Sequence, residues 1–196
     1  KNKFLKVENE TRFLNKYAEL KRDNTRSKII AITGSAGKTS LKNLIKDLLD
    51  NFGDTLCSPK SYNNHYGVPL SLSQLKTSHE FGVFEVGMSN AGEINALTKI
   101  IRPHLGIITN IGEAHIENFK NIKGIAEAKS EILRNIEEGG TIILNRDDIF
   151  FNFLKKKAKK RNLNLVSFGL TKNSDVYPLN FSKNKINKKL TIKIKN

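Results

Sequence analysis

Residues 33–39 read Thr-Gly-Ser-Ala-Gly-Lys-Thr, a combination whose chemistry suits the binding of a phosphate chain. Gly34 and Gly37 permit a tight turn, and the N–H groups of such a turn can point at one anion. Lys38 supplies a positive charge for the β- and γ-phosphates of a nucleotide, and the hydroxyl of Thr39 suits Mg²⁺. We therefore predict a nucleotide-binding loop. Its predicted contact residues are Gly34, Ser35, Ala36, Gly37, Lys38, Thr39 and Ser40.

The flanks of this loop favour nucleotide binding over an ordinary turn. The strict nucleotide-loop pattern has a glycine five residues before Gly37, where this chain has Ile32, so the match is to a shorter Gly-x-x-Gly-Lys-Thr form. An apolar run at residues 29–32 predicts a strand that enters the loop. Apolar residues then recur at helical spacing between Leu41 and Phe52, which predicts a helix that leaves it.

Strand and helix signals alternate along most of the chain. Such alternation predicts an α/β fold with a mostly parallel sheet and helices on both of its faces. From Asp175 onward the pattern changes, and residues 176–181 and 190–194 are expected to form a β-hairpin around an Asn/Lys turn, outside the alternation. The predicted strands are 28–33, 54–58, 81–86, 105–109, 141–144 and 163–168, and the predicted helices are 39–51, 68–75, 93–101, 122–136 and 148–161.

Polar residues follow the ends of several predicted strands, which is where ligands bind in a parallel sheet. Glu85 ends one of these strands, and a buried carboxylate there is unfavourable unless it is paired or metal-bound, so we predict that it shares a Mg²⁺ with Thr39. His115 lies in a loop at the same edge and is a candidate ligand. Asn63 and Asn64 follow the second strand, where they also suit a simple turn.

Lys129 is a lysine at an apolar position. It lies seven residues after Ile122, on the apolar stripe of the predicted helix 122–136. The pattern predicts that Lys129 faces the protein interior. The alternative is that its aliphatic stem packs against neighbours while its amine reaches solvent.

With 196 residues, of which 38% are hydrophobic, the chain has enough material for one substantial domain. The single cysteine, Cys57, excludes an intramolecular disulfide and suits a reducing compartment. No apolar run approaches the roughly 20 residues that span a bilayer, and no signal peptide is recognisable. We expect a soluble, cytoplasmic protein without membrane insertion.

The net charge of +15 is concentrated near the C-terminal end of the sequence. Residues 151–196 hold 13 Lys or Arg and one acid, Asp175, which amounts to a net charge of +12. The densest part, residues 155–161, is typical of the solvated C-terminal end of a helix, where the helix dipole favours cations. We favour this interpretation over RNA or membrane binding and expect no nucleic-acid partner.

Six stretches resemble, in the same order, the signatures of the central ATPase domain of the Mur ligase family. They fall within residues 28–148, and the short phosphate loop is the form that this family uses. Two of them, at residues 63–70 and 92–94, are most similar to the family member that acts on a tripeptide precursor of the cell wall. The six stretches are residues 33–39, 63–70, 85–94, 109–115, 126–132 and 144–148.

The resemblance implies an ATP-dependent peptide ligase of peptidoglycan precursor synthesis. Its substrates would be UDP-MurNAc-tripeptide and D-alanyl-D-alanine, with ATP and Mg²⁺ as cofactors. ATP would phosphorylate the terminal carboxylate of the tripeptide, and the amine of D-alanyl-D-alanine would attack the acyl phosphate. We expect the protein to be a monomer.

The resemblance also implies roles for individual residues. Lys38 would stabilise the transferring phosphoryl group. Thr39 and Glu85 would hold one Mg²⁺, while His115 and a carbamylated Lys129 would hold a second. Three asparagines would contact substrates, Asn63 and Asn64 near the peptide and Asn145 near the adenine.

Family members have an N-terminal domain, this central domain and a C-terminal domain. By this comparison, residues 1–26 would be a lead-in helix from the end of the first domain, and residues 27–196 would form the ATP-binding central domain. The chain would thus be a central-domain fragment, inactive by itself. Two alternatives remain: a ligase like folylpolyglutamate synthase, which shares the fold and the acyl-phosphate chemistry, or a non-catalytic ATP-binding or interaction module.

Overall fold

An eight-stranded sheet forms the centre of the computed structural model, which describes residues 6–183 and 188–195. In chain order its strands are β1 (Lys28–Thr33), β2 (Thr55–Cys57), β3 (Phe81–Glu85), β4 (Leu105–Ile108), β5 (Thr141–Asn145), β6 (Asn164–Phe168), β7 (Val176–Lys183) and β8 (Lys188–Ile194). They lie in the order β2-β3-β1-β4-β5-β6-β7-β8 across the sheet. Neighbours from β2 to β7 pair in parallel, whereas β7 and β8 pair in antiparallel fashion.

Helices connect most of these strands, so the predicted alternation is confirmed. Strand β1 and the fourth helix begin and end at the predicted residues, and most other boundaries differ by a few residues. The helices are α1 (Glu10–Asp23), α2 (Lys38–Leu49), α3 (Gly67–Leu72), α4 (Glu93–Ile101), α5 (Ile122–Lys129) and α6 (Phe151–Lys160), with short 3₁₀ helices at Ile116–Asn118 and Ser130–Arg134.

Both faces of the sheet are covered, as predicted. Successive residues of a strand point to opposite faces. Ile29 and Ala31 of β1 belong to the larger core, which also contains apolar residues of α3, α4, α5 and α6. Ile30 and Ile32 belong to a smaller core on the other face, packed by α2. Residues 29–33 of β1 are buried, and residues 29–32 therefore form a continuous apolar run in the sequence.

Two predicted elements differ from the structure. Helix α5 ends at Lys129 and continues as a 3₁₀ helix, where the Ser130 hydroxyl donates to the carbonyl of Glu127 at 2.6 Å, a local bond that competes with α-helical pairing. The hairpin of β7 and β8 extends the main sheet, because Val176 pairs with Phe168 of β6. The predicted Asn/Lys turn of this hairpin lies outside the described residues.

Helix α1 packs against α3 and α4. The buried side chain of Arg22 donates hydrogen bonds of 2.8 Å to the carbonyls of Ile101 and Arg102, at the C-terminal end of α4. A cation is favourable there because the last carbonyls of a helix lack intrahelical partners. The lysines of residues 155–161 lie at the end of α6, and Lys156, Lys159 and Lys160 are exposed, as the solvated-helix interpretation predicts.

Strand β1 lies between β3 and β4, so the chain leaves β1 towards one side of the sheet and later crosses to the other. Such a reversal opens a crevice at the carboxyl ends of the strands. The segments that follow β1, β3 and β4 meet in this crevice. None of the helices in the described ranges is long and apolar enough to cross a membrane.

Candidate active site

The loop after β1 requires its two glycines. Gly34 has a φ of 150° and Gly37 a φ of 82°, conformations that side chains rarely adopt. A Cβ at Gly34 would also lie 1.9 Å from Oγ1 of Thr109. Gly37 is followed directly by the first residue of α2. The glycines thus turn the chain from β1 into the start of α2.

The first half of this loop is bound to the segment after β4. The N–H groups of Ser35 and Ala36 donate to the backbone and side-chain oxygens of Asn110, each at 3.0 Å. The hydroxyl of Thr109 donates to the carbonyl of Ala36 at 2.6 Å, and the N–H of Gly112 donates to the hydroxyl of Ser35 at 2.8 Å. These contacts fix the loop and occupy the N–H groups of Ser35 and Ala36.

The second half of the loop is the N-terminus of α2. Lys38, Thr39 and Ser40 belong to its first turn, where N–H groups have no intrahelical partner and the helix dipole favours an anion. The amine of Lys38 donates to the carbonyl of Gly34 at 2.9 Å. The anion-binding capacity of the loop is therefore concentrated at residues 37–40.

Glu85 lies beside this helix start. Its Oε2 accepts a hydrogen bond of 2.7 Å from the hydroxyl of Thr39, and its Oε1 accepts one of 2.7 Å from Nδ2 of Asn63. The residue is 1% exposed, so these two donors satisfy a carboxylate that water scarcely reaches. The structure thus brings together three residues that the sequence predicted for the site.

A cavity of about 330 Å³ opens next to these residues. Its walls come from the segments after β1, β2, β3 and β4 and from α5. Positive, neutral polar and negative side chains converge there, the negative one being Glu93. Six predicted residues line it, namely Gly34, Lys38, Asn63, Asn64, His115 and Lys129.

Lys129 faces the interior, as the apolar stripe predicted. It is 2% exposed, which excludes an amine that extends into solvent. Burial, together with the positive charge of Lys38, lowers the pKa of Lys129 to about 8 from its ordinary value of 10.5. At pH 7 roughly a tenth of the amine is therefore neutral, far more than for a lysine with the ordinary pKa of 10.5.

His115 and Asn64 also reach the cavity, each in a strained or capping role. His115 has a φ of 63° and a half-exposed side chain whose Nδ1 lies 3.9 Å from Oε1 of Glu117. Asn64 accepts a hydrogen bond of 2.8 Å from the N–H of Gly67 at the start of α3. Asn64 is therefore a turn former as well as a cavity residue.

Asn145 lines a second cavity, of about 580 Å³, formed with the hairpin. The walls of this cavity are largely apolar and include Phe168, Val176, Tyr177 and Ile192. Oδ1 of Asn145 accepts a hydrogen bond of 3.0 Å from the N–H of Asp147. One strand, β4, separates β1 from β5, so Asn145 lies roughly 10 Å across the sheet from the phosphate loop.

Lys42 is a buried residue of the site region that the sequence did not reveal. It is 1% exposed, and its amine donates to the carbonyl of Ser58 at 2.7 Å and to that of Lys60. These bonds hold the start of the segment that supplies Asn63 against α2. Lys42 lies three residues after Thr39. No pattern in the sequence indicated that this lysine is buried.

Thr39 and Glu85 provide two hard oxygen ligands, and Mg²⁺ commonly takes one or two protein oxygens with phosphates and water completing its shell. These residues therefore fit the metal that the sequence implied. No group of three or more His, Cys, Asp or Glu side chains is arranged for a metal within the described ranges.

The parallel sheet, its topological reversal and the glycine loop at the end of β1 define a doubly wound α/β protein. Residues 32–196 match the family model described as the Mur ligase middle domain. The chain therefore belongs to the Mur ligase middle domain family.

The chain is similar to named relatives over nearly its whole length. It is 36% identical over 176 residues to UDP-N-acetylmuramoyl-tripeptide--D-alanyl-D-alanine ligase of Buchnera aphidicola subsp. Baizongia pistaciae, which covers 90% of this chain and 38% of that protein. MurF from Acinetobacter baumannii superposes with a TM-score of 0.89 at 32% identity, covering 97% of this chain and 41% of that one. MurF from Thermotoga maritima in complex with ADP gives 0.86 at 27% identity, covering 99% and 44%.

A more distant structural similarity is to folylpolyglutamate synthase (FPGS), the alternative ligase considered from the sequence. A mutant of L. casei FPGS superposes with a TM-score of 0.72 at 14% identity, which shows a common fold alone. The chain spans less than half the length of the MurF relatives named above.

Proposed function

We propose that this chain is the ATP-binding central part of a longer ligase that joins D-alanyl-D-alanine to UDP-MurNAc-tripeptide. The observation that supports this most directly is one cavity lined by Lys38, His115 and Lys129 beside the Thr39–Glu85 pair. The cation of Lys38 suits phosphates, and His115 and Lys129 are candidate metal ligands. The relatives named for this reaction support the choice of substrates.

In this reaction the terminal carboxylate oxygen of the tripeptide attacks the γ-phosphorus of ATP, and ADP leaves. The amine nitrogen of D-alanyl-D-alanine then attacks the acyl carbon, loses a proton and displaces inorganic phosphate, which leaves an amide. Charge on the transferring phosphoryl group is the main barrier to the first step. Lys38, at the N-terminus of α2, would stabilise that charge.

Thr39 and Glu85 would hold a Mg²⁺ at the nucleotide phosphates. When bound, this ion neutralises phosphate charge. We further propose that His115 and a carbamate on Lys129 hold a second Mg²⁺. Lys129 suits this role because a buried amine with a lowered pKa supplies the neutral form that reacts with CO₂. The resulting carbamate is an anionic oxygen ligand of the type that Mg²⁺ prefers.

The adenine would bind in the second cavity, next to Asn145. A purine has apolar faces and a polar edge, which match the apolar walls and the single amide side chain. Asn63 and Asn64 would contact the peptide. Asn145 lies roughly 10 Å from the glycine loop after β1, and this separation suits the distance from the phosphates of ATP to its base.

Two measurements test this function. This chain alone should bind Mg·ATP in calorimetry but should not join the substrates, because lid closure by further parts of a protein commonly completes such sites. The full-length protein should release ADP in the presence of UDP-MurNAc-tripeptide and D-alanyl-D-alanine, and not with a folate and glutamate. Folate-dependent ADP release would contradict the proposed function, and ligation by this chain alone would contradict the fragment interpretation.

A further inference from the structure

Glu93, the first residue of α4, lines the same cavity as Lys38, His115 and Lys129. Among the described residues that form this cavity it is the one carboxylate. Glu85, the other acid nearby, is already bound by Thr39 and lies behind the wall. The function proposed above leaves Glu93 without a role.

The carboxylate of Glu93 is held in place by its own loop. Its Oε2 accepts a hydrogen bond of 2.8 Å from the N–H of Ser89, and its Oε1 accepts one of 3.0 Å from the side chain of Asn90. Long acidic side chains at a surface normally sample several rotamers, and two donors on opposite oxygens restrict this motion. Glu93 therefore presents a fixed anion to the cavity.

The backbone on either side of Glu93 is also held in place, by a side chain from the segment that follows Lys129. The buried carboxylate of Glu131 accepts hydrogen bonds from the N–H groups of Gly92 at 2.7 Å and Asn95 at 3.0 Å. Glu131 thereby caps α4 from another part of the chain. This clamp ties the start of α4 to the segment that positions Lys129.

Glu93 is ionised at neutral pH. Partial burial raises its pKa, but the hydrogen bonds from Ser89 and Asn90 and the nearby charge of His65 outweigh this effect, so the pKa lies below its ordinary value. A fixed anion repels phosphate and carboxylate groups that enter the same cavity. It is favourable there when a cationic group of a ligand lies against it.

The proposed reaction brings an ammonium group to this cavity, since D-alanyl-D-alanine carries one. Each oxygen of Glu93 accepts one hydrogen bond from the protein and keeps a further lone pair that can accept one from an ammonium group. An ammonium needs hydrogen-bond acceptors, of which it can use up to three. Asn63 also lines the cavity, and since its Nδ2 donates to Glu85, the acceptor of its amide is Oδ1.

We propose that Glu93 is the binding site for an ammonium group of a substrate. This inference rests on the proposed function and adds a contact for one of its substrates. Two groups have this chemistry, the α-ammonium of D-alanyl-D-alanine and a side-chain ammonium on the third residue of the stem peptide. The role is binding and orientation, since a carboxylate so well stabilised as an anion is a weak base.

The test uses the full-length protein and the variant Glu93→Gln, which keeps an oxygen for the N–H donors but removes the charge. KM is measured for ATP, for D-alanyl-D-alanine, and for tripeptides whose third residue is either lysine or Nε-acetyl-lysine. Loss of a charged hydrogen-bond partner is expected to raise KM by roughly tenfold or more for the substrate that binds there. KM for ATP should stay within about threefold of the parent.

The two sources give different results. If the amine of D-alanyl-D-alanine binds Glu93, the KM for this dipeptide rises whichever tripeptide is used. If the stem side chain binds, KM rises for the lysine tripeptide and not for the acetylated one. Each of these results supports the proposal. It is overturned if every KM stays within about threefold, or if kcat falls while every KM is unchanged.

Two controls separate this inference from the proposed function and from a folding defect. Positional isotope exchange of ATP, with tripeptide and without dipeptide, reports carboxylate phosphorylation alone; it should occur in the parent and persist in Glu93→Gln. Its absence in the parent would overturn the proposed function and this inference together. Glu138→Gln makes the same charge change on an exposed residue that does not line the cavity and should leave every KM unchanged, and equal thermal midpoints verify folding.

Discussion

The hydroxyl of Thr39 lies 2.7 Å from Oε2 of Glu85, although 46 positions separate the two residues in the chain. The contact forms because β1 and β3 are parallel neighbours whose carboxyl ends meet at one edge of the sheet. The buried carboxylate is stabilised there by its donors, and in the proposed function it is an oxygen ligand of Mg²⁺ beside the glycine loop. Substitutions at this edge should therefore affect nucleotide chemistry more than folding.

Replacement of Lys38 or Glu85 by Ala in the full-length protein should reduce kcat by about 10² or more, the usual scale for loss of one preorganised electrostatic contact. Steady-state rates across a Mg²⁺ titration measure this effect. Lys156→Ala, on the exposed end of α6, is the control for loss of a positive charge. If Glu85→Ala stayed within a few-fold of the parent at every Mg²⁺ concentration, Glu85 would not be a metal ligand.

Gly34→Ala should abolish nucleotide binding by this chain, because the added Cβ would meet Oγ1 of Thr109 at 1.9 Å and the backbone has a positive φ. Gly112→Ala is the matched control in the partner segment, where the nearest atom, Cβ of Ser35, lies at an ordinary 3.5 Å. Calorimetry with Mg·ATP compares the two variants. Equal affinities would show that the loop geometry is not required.

Lys129→Met should stabilise the chain at pH 7 in CO₂-free buffer. Below pH 8 the parent buries a charged amine; between pH 8 and 10.5 the unfolded state binds more protons than the folded state, so stability rises with pH. The free energy of unfolding of Lys129→Met should exceed that of the parent by on the order of 3 kcal/mol at pH 7, since each pKa unit is worth about 1.4 kcal/mol. This difference should vanish above pH 10.5. Urea unfolding of both proteins at pH 7 and 10 measures the difference, and a difference independent of pH would argue against a charged, buried amine.

The carbamate on Lys129 predicts a dependence on CO₂. The full-length protein should lose activity in bicarbonate-free buffer and regain it when bicarbonate is added, because the carbamate forms reversibly from the neutral amine. Lys129→Ala should be inactive, and acetate should partly restore it by occupying the vacated position as a carboxylate. Near-parent activity in Lys129→Ala or Lys129→Arg, without a response to bicarbonate, would rule out the carbamate.

Local patterns were sufficient to predict the elements that build the site. The apolar run of β1 and the spacing of apolar residues in α4 predicted the first and last residue of both elements correctly. This was possible because a buried strand and an amphipathic helix have distinct periods. The same periodicity predicted that Lys129 faces inward. Glu85 could be placed at the edge of the sheet because it ends an apolar strand.

Contacts between distant segments could not be predicted in this way. The burial of Lys42 depends on carbonyls of Ser58 and Lys60, and the capping of α4 depends on Glu131, 39 positions from Gly92. These bonds are set by how the loops fold against the sheet, which residue spacing does not record. The hairpin's place on the sheet depends likewise on one residue pair at Phe168.

The central claim is that the full-length protein forms an amide through an acyl phosphate, and isotope transfer tests it most directly. UDP-MurNAc-tripeptide labelled with ¹⁸O in its terminal carboxylate is incubated with the full-length protein, ATP and D-alanyl-D-alanine, and the inorganic phosphate is analysed by mass spectrometry. The account predicts one ¹⁸O atom in the phosphate for each amide formed, because the attacking carboxylate oxygen leaves with the phosphoryl group. Amide formation with unlabelled phosphate, or phosphate release without amide formation, would contradict it.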